Sequence, residues 1–158
     1  MNTAYVALGA NLDDPAATVR AAFAALANLP DSRIVHCSSL YRTAPVGIAD
    51  QPEFINAVAE LETSLAPEAL LDALLEIEQR FGRIRAERNG PRTLDLDLLL
   101  YNDQYLDLPR LTLPHPRLHL RAFVLQPLAE IAPDLKLPGR GTVAAWLPAV
   151  ANQGIVRL

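Results

Sequence analysis

Asp95 and Asp97 are the residues whose type and spacing most directly suggest chemistry. They lie in TLDLDLLLY (93–101), where alternating polar and apolar residues predict a strand. In a strand, residues two apart point to the same side, with Cα atoms roughly 6.5–7 Å apart. Two neighbouring carboxylates repel each other unless a cation neutralises them, and magnesium prefers oxygen ligands. The pair therefore predicts a magnesium site, although two acids that simply face solvent would show the same pattern.

The apolar side of this strand is expected to hold it in the core. Its members are Leu94, Leu96, Leu98 and Leu100, all predicted on the face opposite to the aspartates.

A cluster of arginines comes just before the aspartates. Arg83, Arg85, Arg88 and Arg92 all fall within RIRAERNGPR (83–92). Guanidinium groups bind phosphate oxygens in a planar fork, but they could equally form surface salt bridges with the acids. The Asn-Gly-Pro sequence predicts an exposed loop, which favours a phosphate clamp. Since neither GxxxxGK[ST] nor GxGxxG occurs, arginines and a metal ion would have to hold any nucleotide.

His115 is a further candidate because Pro114 and Pro116 flank it. Prolines restrict the backbone of their neighbours, so the imidazole is predicted to sit on a rigid loop. A lone histidine more often has a purely structural role.

Composition limits the possible classes of function. The 158 residues suggest one domain, 1–158, and the net charge of −4 argues against a general nucleic-acid binder. Cys37 is the only cysteine, so no intramolecular disulfide can form, and its alternating surroundings predict a buried thiol. Neither a signal peptide nor a membrane-spanning run is recognisable, so we expect a cytoplasmic protein.

The predicted elements follow the order strand, helix, strand, strand, helix, strand, followed by smaller pieces. The strands are expected at 3–9, 32–43, 53–63 and 93–101, the last with a hairpin partner in YLDL (105–108), and the helices at 15–29, 67–81, 122–131 and 141–150. A long loop is expected over 44–52. This order predicts an α+β fold, a ferredoxin-like split βαβ sandwich whose antiparallel sheet has helices packed on its faces.

The chain resembles the 6-hydroxymethyl-7,8-dihydropterin pyrophosphokinase family. The most specific segment is GPRTLDLDLLLY (90–101), which is similar to the family signature GPR-T-LDLDIL almost residue for residue. Further similar segments follow one another from Tyr5 to Pro133: YVALGANL (5–12), SSLYRTAPVG (38–47), QPEFINAV (51–58), RLTLPHPR (110–117) and RAFVLQPLAEIAP (121–133). One departure is Asn89, which stands where the family often carries a tryptophan, in a loop one residue shorter.

The resemblance implies a diphosphotransferase of folate biosynthesis that uses ATP and a pterin alcohol, and we expect it to act as a monomer. Asp95 and Asp97 would bind two magnesium ions and act in catalysis with Arg83, Arg85, Arg92 and His115. ATP would contact Glu78, Arg83, Arg92, Arg110, His115 and Arg121. The pterin would contact Thr43, Ala44, Val46, Phe54, Asn56 and Phe123. These types suit the ligand, because aromatic faces stack on a flat heterocycle and an amide can both donate to and accept from its edge.

Two other classes of protein fit parts of the pattern. A ferredoxin-like RNA-binding module should carry aromatic residues on its central strands and a basic sheet face, whereas this chain has two aspartates there and a negative net charge. A DxD-dependent glycosyl- or nucleotidyltransferase would usually be longer and would not need the arginine segment.

Overall fold

A computed structural model describes residues 1–43, 52–82 and 93–158. The strands are β1 Asn2–Ala10, β2 Ser32–Cys37, β3 Tyr41–Thr43, β4 Phe54–Thr63, β5 Asp95–Tyr101, β6 Leu106–Asp107, β7 Thr112–Leu113, β8 Lys136–Leu137, β9 Gly141–Thr142 and β10 Ile155–Arg157. The α-helices are α1 Pro15–Ala27, α2 Pro67–Arg80, α3 Ala122–Ile131 and α4 Val143–Trp146, with 3-10 turns at Leu118–Leu120 and Leu147–Val150. None of the helices in these ranges is long and apolar enough to cross a membrane.

The main sheet has the strand order β10-β3-β4-β1-β5, and β2 also pairs with β4. All of its pairings are antiparallel. The predicted α+β fold with helices on the sheet is confirmed, and β1 and β4 form its centre.

Each face of the sheet carries its own apolar core. The first core lies between the sheet and helices α1 and α2, and it includes Leu8, Leu26 and Leu74. The second core lies on the opposite face against α3, and it includes Val58 and Leu125. Because both faces are covered, β1 and β4 are apolar on both sides and form a rigid support for whatever their ends carry.

Helix starts follow the local sequence. The Asp14 side chain accepts a hydrogen bond from the Ala17 N–H at 3.2 Å, and Pro15 takes the first helical position of α1. In α2, Pro67 has the same role after Ala66, whose side chain gives no cap.

Strand β5 contains a β-bulge that alters the predicted faces. Val6 of β1 pairs with Leu98 and Tyr5 pairs with Leu100, so Leu99 is an extra residue between the two pairs. Leu98 packs in the first core, whereas Leu99 and Leu100 both pack in the second. The prediction that Leu100 lies opposite to the aspartates is therefore wrong, because the bulge shifts the alternation by one residue.

Three local expectations are also wrong. The single strand expected over 32–43 is divided into β2 and β3, because the Ser38 hydroxyl accepts from the Val58 N–H and the Ser38 N–H donates to Val58 O where the strand breaks. The hairpin partner of YLDL is β7 rather than β5. Cys37 is exposed, since β2 pairs with β4 alone among the described strands and a register shift follows Ile34.

A half-buried carboxylate, Glu130, ties α3 to the strand that carries Thr43. Its oxygens accept hydrogen bonds from the Ser39 N–H at 2.9 and 3.0 Å, the Ser39 hydroxyl at 3.0 Å and the Tyr41 hydroxyl at 2.8 Å, and Arg157 lies at 3.4 Å. Burial alone would raise the pKa of Glu130, but these donors and Arg157 outweigh it and lower that pKa. Burial and the bond to the carboxylate raise the pKa of Tyr41 to about 12.

We expect Glu130→Gln to lower the free energy of unfolding by about 1–3 kcal/mol at pH 7, because an amide cannot accept from all of these donors. Since the folded pKa lies below the unfolded value of about 4.3, this stabilisation is complete above that value and is lost as the pH falls through the folded pKa. Urea unfolding followed by circular dichroism at pH 7 and pH 3 measures the difference between variant and parent.

Glu53→Gln is the matched control, because that carboxylate is 58% exposed. It should change stability little at either pH. An equal gap between Glu130→Gln and the parent at both pH values would contradict the assignment of the stabilisation to the ionised carboxylate.

Candidate active site

Asp95 and Asp97 lie on the sheet face that carries the second core. Asp97 pairs with Ala7 of β1, whose side chain packs in the second core, and Asp95 pairs with Gly9. Asp95 is half-buried and Asp97 is exposed. Both carboxylates therefore project from one end of β5 on the same side, as the alternation predicts.

The donor set at this position suits magnesium. Within the described ranges, no group of three or more His, Cys, Asp and Glu side chains could hold a metal ion. Two carboxylates alone do not make a closed metal cage. Magnesium commonly takes one or two protein carboxylates and completes its octahedron with phosphate oxygens and water, so the residues present fit an ion that arrives with a phosphate ligand.

His115 is fixed against the same strand by its backbone. Its N–H donates to Leu99 O at 2.9 Å, at the bulge of β5. Its Nδ1 atom accepts from the Arg117 N–H at 3.3 Å, which assigns the ring proton to Nε2 in the neutral imidazole. Burial lowers the pKa of His115 and so do Arg121 and Arg117, while Asp97 acts in the opposite direction. The ring is therefore a neutral N–H donor at physiological pH.

Arg121 adds a fixed positive charge near Asp97. Burial lowers the pKa of its guanidinium and Arg117 adds to this, whereas Asp97 raises it. The group stays charged, since arginine does not lose its proton in proteins. Its guanidinium carbon lies 5.3 Å from the ring centroid of Phe123, within range for a cation–π contact.

Thr43 and Asn56 form a buried polar pair on the other side of the site. They are 5% and 6% exposed, and Asn56 Nδ2 donates to Thr43 Oγ1 at 2.7 Å. No donor from the described part of the chain reaches Asn56 Oδ1. A buried acceptor without a partner is costly, so this amide suits a ligand that supplies the missing hydrogen bond.

Two half-buried aromatic rings accompany this pair. Phe54 pairs with Thr43 across β3 and β4, and it shares the strand face of Asn56 and Val58. Phe123 packs against the second core, to which Val58 belongs. The rings therefore lie on the face of the sheet that carries the amide.

Gly9 lies between the amide and the carboxylates. It pairs with Asn56 on one side and with Asp95 on the other, so Asn56 and Asp95 lie in one row across three strands. At the usual strand spacing, their Cα atoms are roughly 10 Å apart. A Cβ atom at Gly9 would lie 2.9 Å from Asn56 Oδ1. In the sequence, Gly9 shows only the end of a predicted strand, and no local pattern reveals this close approach.

We expect Gly9→Ala to weaken binding at the amide, because a Cβ at 2.9 Å would displace Asn56 Oδ1 or break its bond to Thr43. A loss of affinity of about tenfold for a ligand of Asn56 is the predicted size, equal to roughly one lost hydrogen bond. Fluorescence titration with a pterin measures it.

Gly154→Ala is the matched control, since nothing lies within 4 Å of its added Cβ. Equal pterin affinities for Gly9→Ala and Gly154→Ala would contradict the close-approach argument.

Two predicted nucleotide residues have other partners in the structure. Arg110 is exposed and forms an ion pair with Asp72 of α2. Glu78 is 2% exposed, and its carboxylate accepts from the Leu96 N–H at 2.7 Å, which ties α2 to β5. Contact of either residue with a nucleotide stays a prediction.

The remaining predicted residues are outside the described ranges. These are Ala44 and Val46 of the predicted pterin site, Arg83, Arg85 and Arg92 of the arginine segment, and Asn89. Conversely, the structure adds Arg117, whose N–H orients His115 and whose charge lowers the pKa of both His115 and Arg121. Its position directly after the Pro-His-Pro sequence was the only signal in the sequence.

Comparison with known proteins places this chain in a family. Among curated relatives, a 2-amino-4-hydroxy-6-hydroxymethyldihydropteridine pyrophosphokinase of Pseudomonas aeruginosa is 54% identical over 154 residues, covering 98% of this chain and 95% of the relative. The enzyme of the same name from Haemophilus influenzae is 45% identical over 158 residues, covering 100% and 99%. Both relatives match this chain over nearly their full length.

Solved structures support the fold. The Plasmodium falciparum HPPK-DHPS structure with pteroate superposes with a TM-score of 0.76 at 15% identity, covering 94% of this chain. The chain spans 42% of the length of that protein. Residues 5–133 match the sequence model described as 7,8-dihydro-6-hydroxymethylpterin-pyrophosphokinase (HPPK). This chain therefore belongs to the 7,8-dihydro-6-hydroxymethylpterin-pyrophosphokinase family.

Proposed function

We propose that the chain carries out its family's reaction on the sheet face that holds Asn56, Gly9 and Asp95. The reaction transfers pyrophosphate from ATP to the hydroxymethyl group of 6-hydroxymethyl-7,8-dihydropterin, a step of folate biosynthesis. The assignment to this face rests on one row of residues across three strands. In this row, the buried amide of Asn56 and the carboxylate of Asp95 lie on either side of Gly9. Their separation of roughly 10 Å suits a pterin ring on one side and phosphates on the other.

The reaction needs no covalent intermediate with the enzyme. The hydroxymethyl oxygen attacks the β-phosphorus of ATP, the bond from that phosphorus to the oxygen bridging the α-phosphate breaks, and AMP leaves with that oxygen. The pterin receives both outer phosphates, and its hydroxyl proton is lost. Because no nucleophile of the enzyme takes part, the rate depends on positioning and on neutralisation of charge.

Asp95 and Asp97 are the proposed ligands of two magnesium ions. The chemistry that bound magnesium supplies is neutralisation of charge on the ATP phosphates. Asp95 and Asp97 are suited to this role because they project together from a strand that is anchored through buried Leu96 and Leu98.

Arg121 and His115 are proposed to orient the phosphates. Arg121 offers a charged, half-buried fork near Asp97, and His115 offers a neutral Nε2–H donor on a loop fixed to β5. We assign Arg83, Arg85 and Arg92 to the same phosphates, and Glu78 and Arg110 to the nucleotide, as proposals from the family resemblance.

Asn56 and Thr43 are proposed to bind the edge of the pterin. The Oδ1 atom, which no donor from the described ranges reaches, can accept from a ring N–H, and the hydroxyl of Thr43 extends the polar edge. Phe54 and Phe123 would stack on the ring, and the Arg121 guanidinium over Phe123 would place the phosphates next to it. Ala44 and Val46 complete the proposed pterin site.

The test is incubation of the protein with MgATP and 6-hydroxymethyl-7,8-dihydropterin, with nucleotides separated by chromatography. AMP and a pterin diphosphate are expected in equal amounts. Release of ADP would mean transfer of a single phosphate and would overturn the proposal. Omission of the pterin is the control, since AMP that forms without it would indicate hydrolysis.

We also propose that the protein acts as a monomer in the cytoplasm, without a nucleic-acid partner. The net charge of −4 supports the last point, because nucleic-acid binding gains affinity from a basic surface. Size-exclusion chromatography with light scattering gives the mass in solution, and a dimer mass would overturn the first point.

A further inference from the structure

The segment between α4 and β10 sends one side chain, Gln153, to the start of α3. Its Oε1 atom accepts from the Ala122 N–H at 2.8 Å, and its Nε2 atom donates to Leu120 O at 3.0 Å. These two bonds hold the backbone on both sides of Arg121. A single amide thus clamps the residue that carries the positive charge near Asp97.

The start of α3 needs this partner. The first N–H groups of a helix have no acceptor within the helix, and Arg121 at the cap position makes no side-chain cap. The Ala122 N–H is the first of these groups, and Gln153 satisfies it from a position 31 residues further along the chain. The amide therefore replaces a local cap and fixes the direction in which the chain enters α3.

Gln153 is itself held in place by the fold. Its N–H donates to Val150 O at 3.0 Å, and Val150 is buried in the second core. On its other side, β10 pairs with β3, the strand that ends at Thr43. Gln153 is therefore anchored to the second core and lies next to the strand that pairs with β3, and a turn of the Arg121 backbone would break its two side-chain bonds.

We infer that Gln153 is a positioning residue that directs the Arg121 guanidinium toward the ATP phosphates. The inference rests on the proposed function of Arg121. Gln153 would act through Arg121, because its side chain bonds to the backbone of the two residues that flank Arg121. The Arg121 guanidinium lies 5.3 Å from the Phe123 ring centroid, and a change in the direction of its backbone would move it from this position.

The test is a double-mutant cycle on kcat/KM for ATP. Gln153→Ala should lower it about tenfold, since small displacements of a positioning group are costly. Arg121→Ala should lower it further, and the double variant should be no slower than Arg121→Ala, because the clamp then has nothing to direct. Gln153→Glu keeps the acceptor for the Ala122 N–H and loses the donor to Leu120 O, so it should recover part of the loss.

The controls separate a positioning role from a merely structural one. Asn152→Ala changes an exposed neighbour in the same segment and should leave kcat/KM unchanged. The midpoint of thermal unfolding of Gln153→Ala should stay within a few degrees of the parent. An equal fall in kcat/KM with and without Arg121 would overturn the inference, as would parental activity of Gln153→Ala. Full activity of Arg121→Ala would instead overturn the proposed function of Arg121, and the inference with it.

Discussion

Asp97→Ala is expected to lower kcat for AMP formation by about 10³-fold or more, because loss of a metal ligand removes charge neutralisation on the transferring phosphates. Asp95→Ala should behave in the same way. The fold should survive Asp97→Ala, since Asp97 is exposed and its strand is held by the buried side chains of Leu96 and Leu98. Measurement of AMP over a range of magnesium concentrations, together with thermal unfolding, separates the loss of metal binding from unfolding.

Asp107→Ala is the matched control. It removes an exposed aspartate from β6, a strand outside the main sheet, and should leave the rate unchanged. Full activity of either Asp95→Ala or Asp97→Ala would contradict the metal assignment. Recovery of the parental rate at high magnesium would show instead that the carboxylate affects only the affinity for the ion.

Local patterns in the sequence are sufficient for much of this architecture. The alternation around Asp95 and Asp97 places both carboxylates on one face, because the side-chain period of a strand is two residues. Helix α3 spans Ala122–Ile131, as predicted, and α1 begins at Pro15 after its Asp14 cap. In each case the residues that determine the structure lie within a few positions of the element that they shape.

Two of the expectations that the structure contradicts depend on residues far away in the sequence. The bulge at Leu99 depends on the register of β1 against β5, and the break at Ser38 depends on the backbone of Val58. The wrong pairing of YLDL is a local exception, because its partner β7 begins at Thr112, shortly after Asp107. Local periodicity carries no information about which strand lies alongside.

The residues of the candidate site also fall into those that the sequence indicates and those that only the structure reveals. Residue types identified the carboxylates and His115 as candidates, and the family resemblance added Thr43 and Asn56, but their mutual placement needs the strand register. The roles of Gly9 and Gln153 were not predicted, because each depends on a contact with a residue far away in the chain. Gly9 lies against Asn56, and Gln153 bonds to Ala122. A glycine in a strand and a glutamine near a turn have no local pattern that reveals such contacts.

Asn56→Ala is expected to lower kcat/KM for the pterin by about 10²-fold or more, because a site built to hydrogen-bond a substrate loses strongly when one partner is removed. The loss has two sources. The ligand loses the Oδ1 acceptor, and the buried Thr43 hydroxyl loses its partner at 2.7 Å. The KM for ATP should change little, since Asp95 lies roughly 10 Å across the sheet from the amide. Steady-state kinetics with each substrate varied in turn measures both quantities.

Thr43→Val separates the two sources, because it removes the hydroxyl and keeps the amide. Asn56 then has no described partner to fix its orientation but can still bind the pterin, so a smaller loss of about tenfold is expected. Equal losses in Asn56→Ala and Thr43→Val would mean that the pair acts as one unit and that Oδ1 has no separate role. If the site is divided across Gly9, each end of the three-strand row should affect only its own substrate. A rise in the KM for ATP as large as the loss in kcat/KM for the pterin would therefore contradict this division.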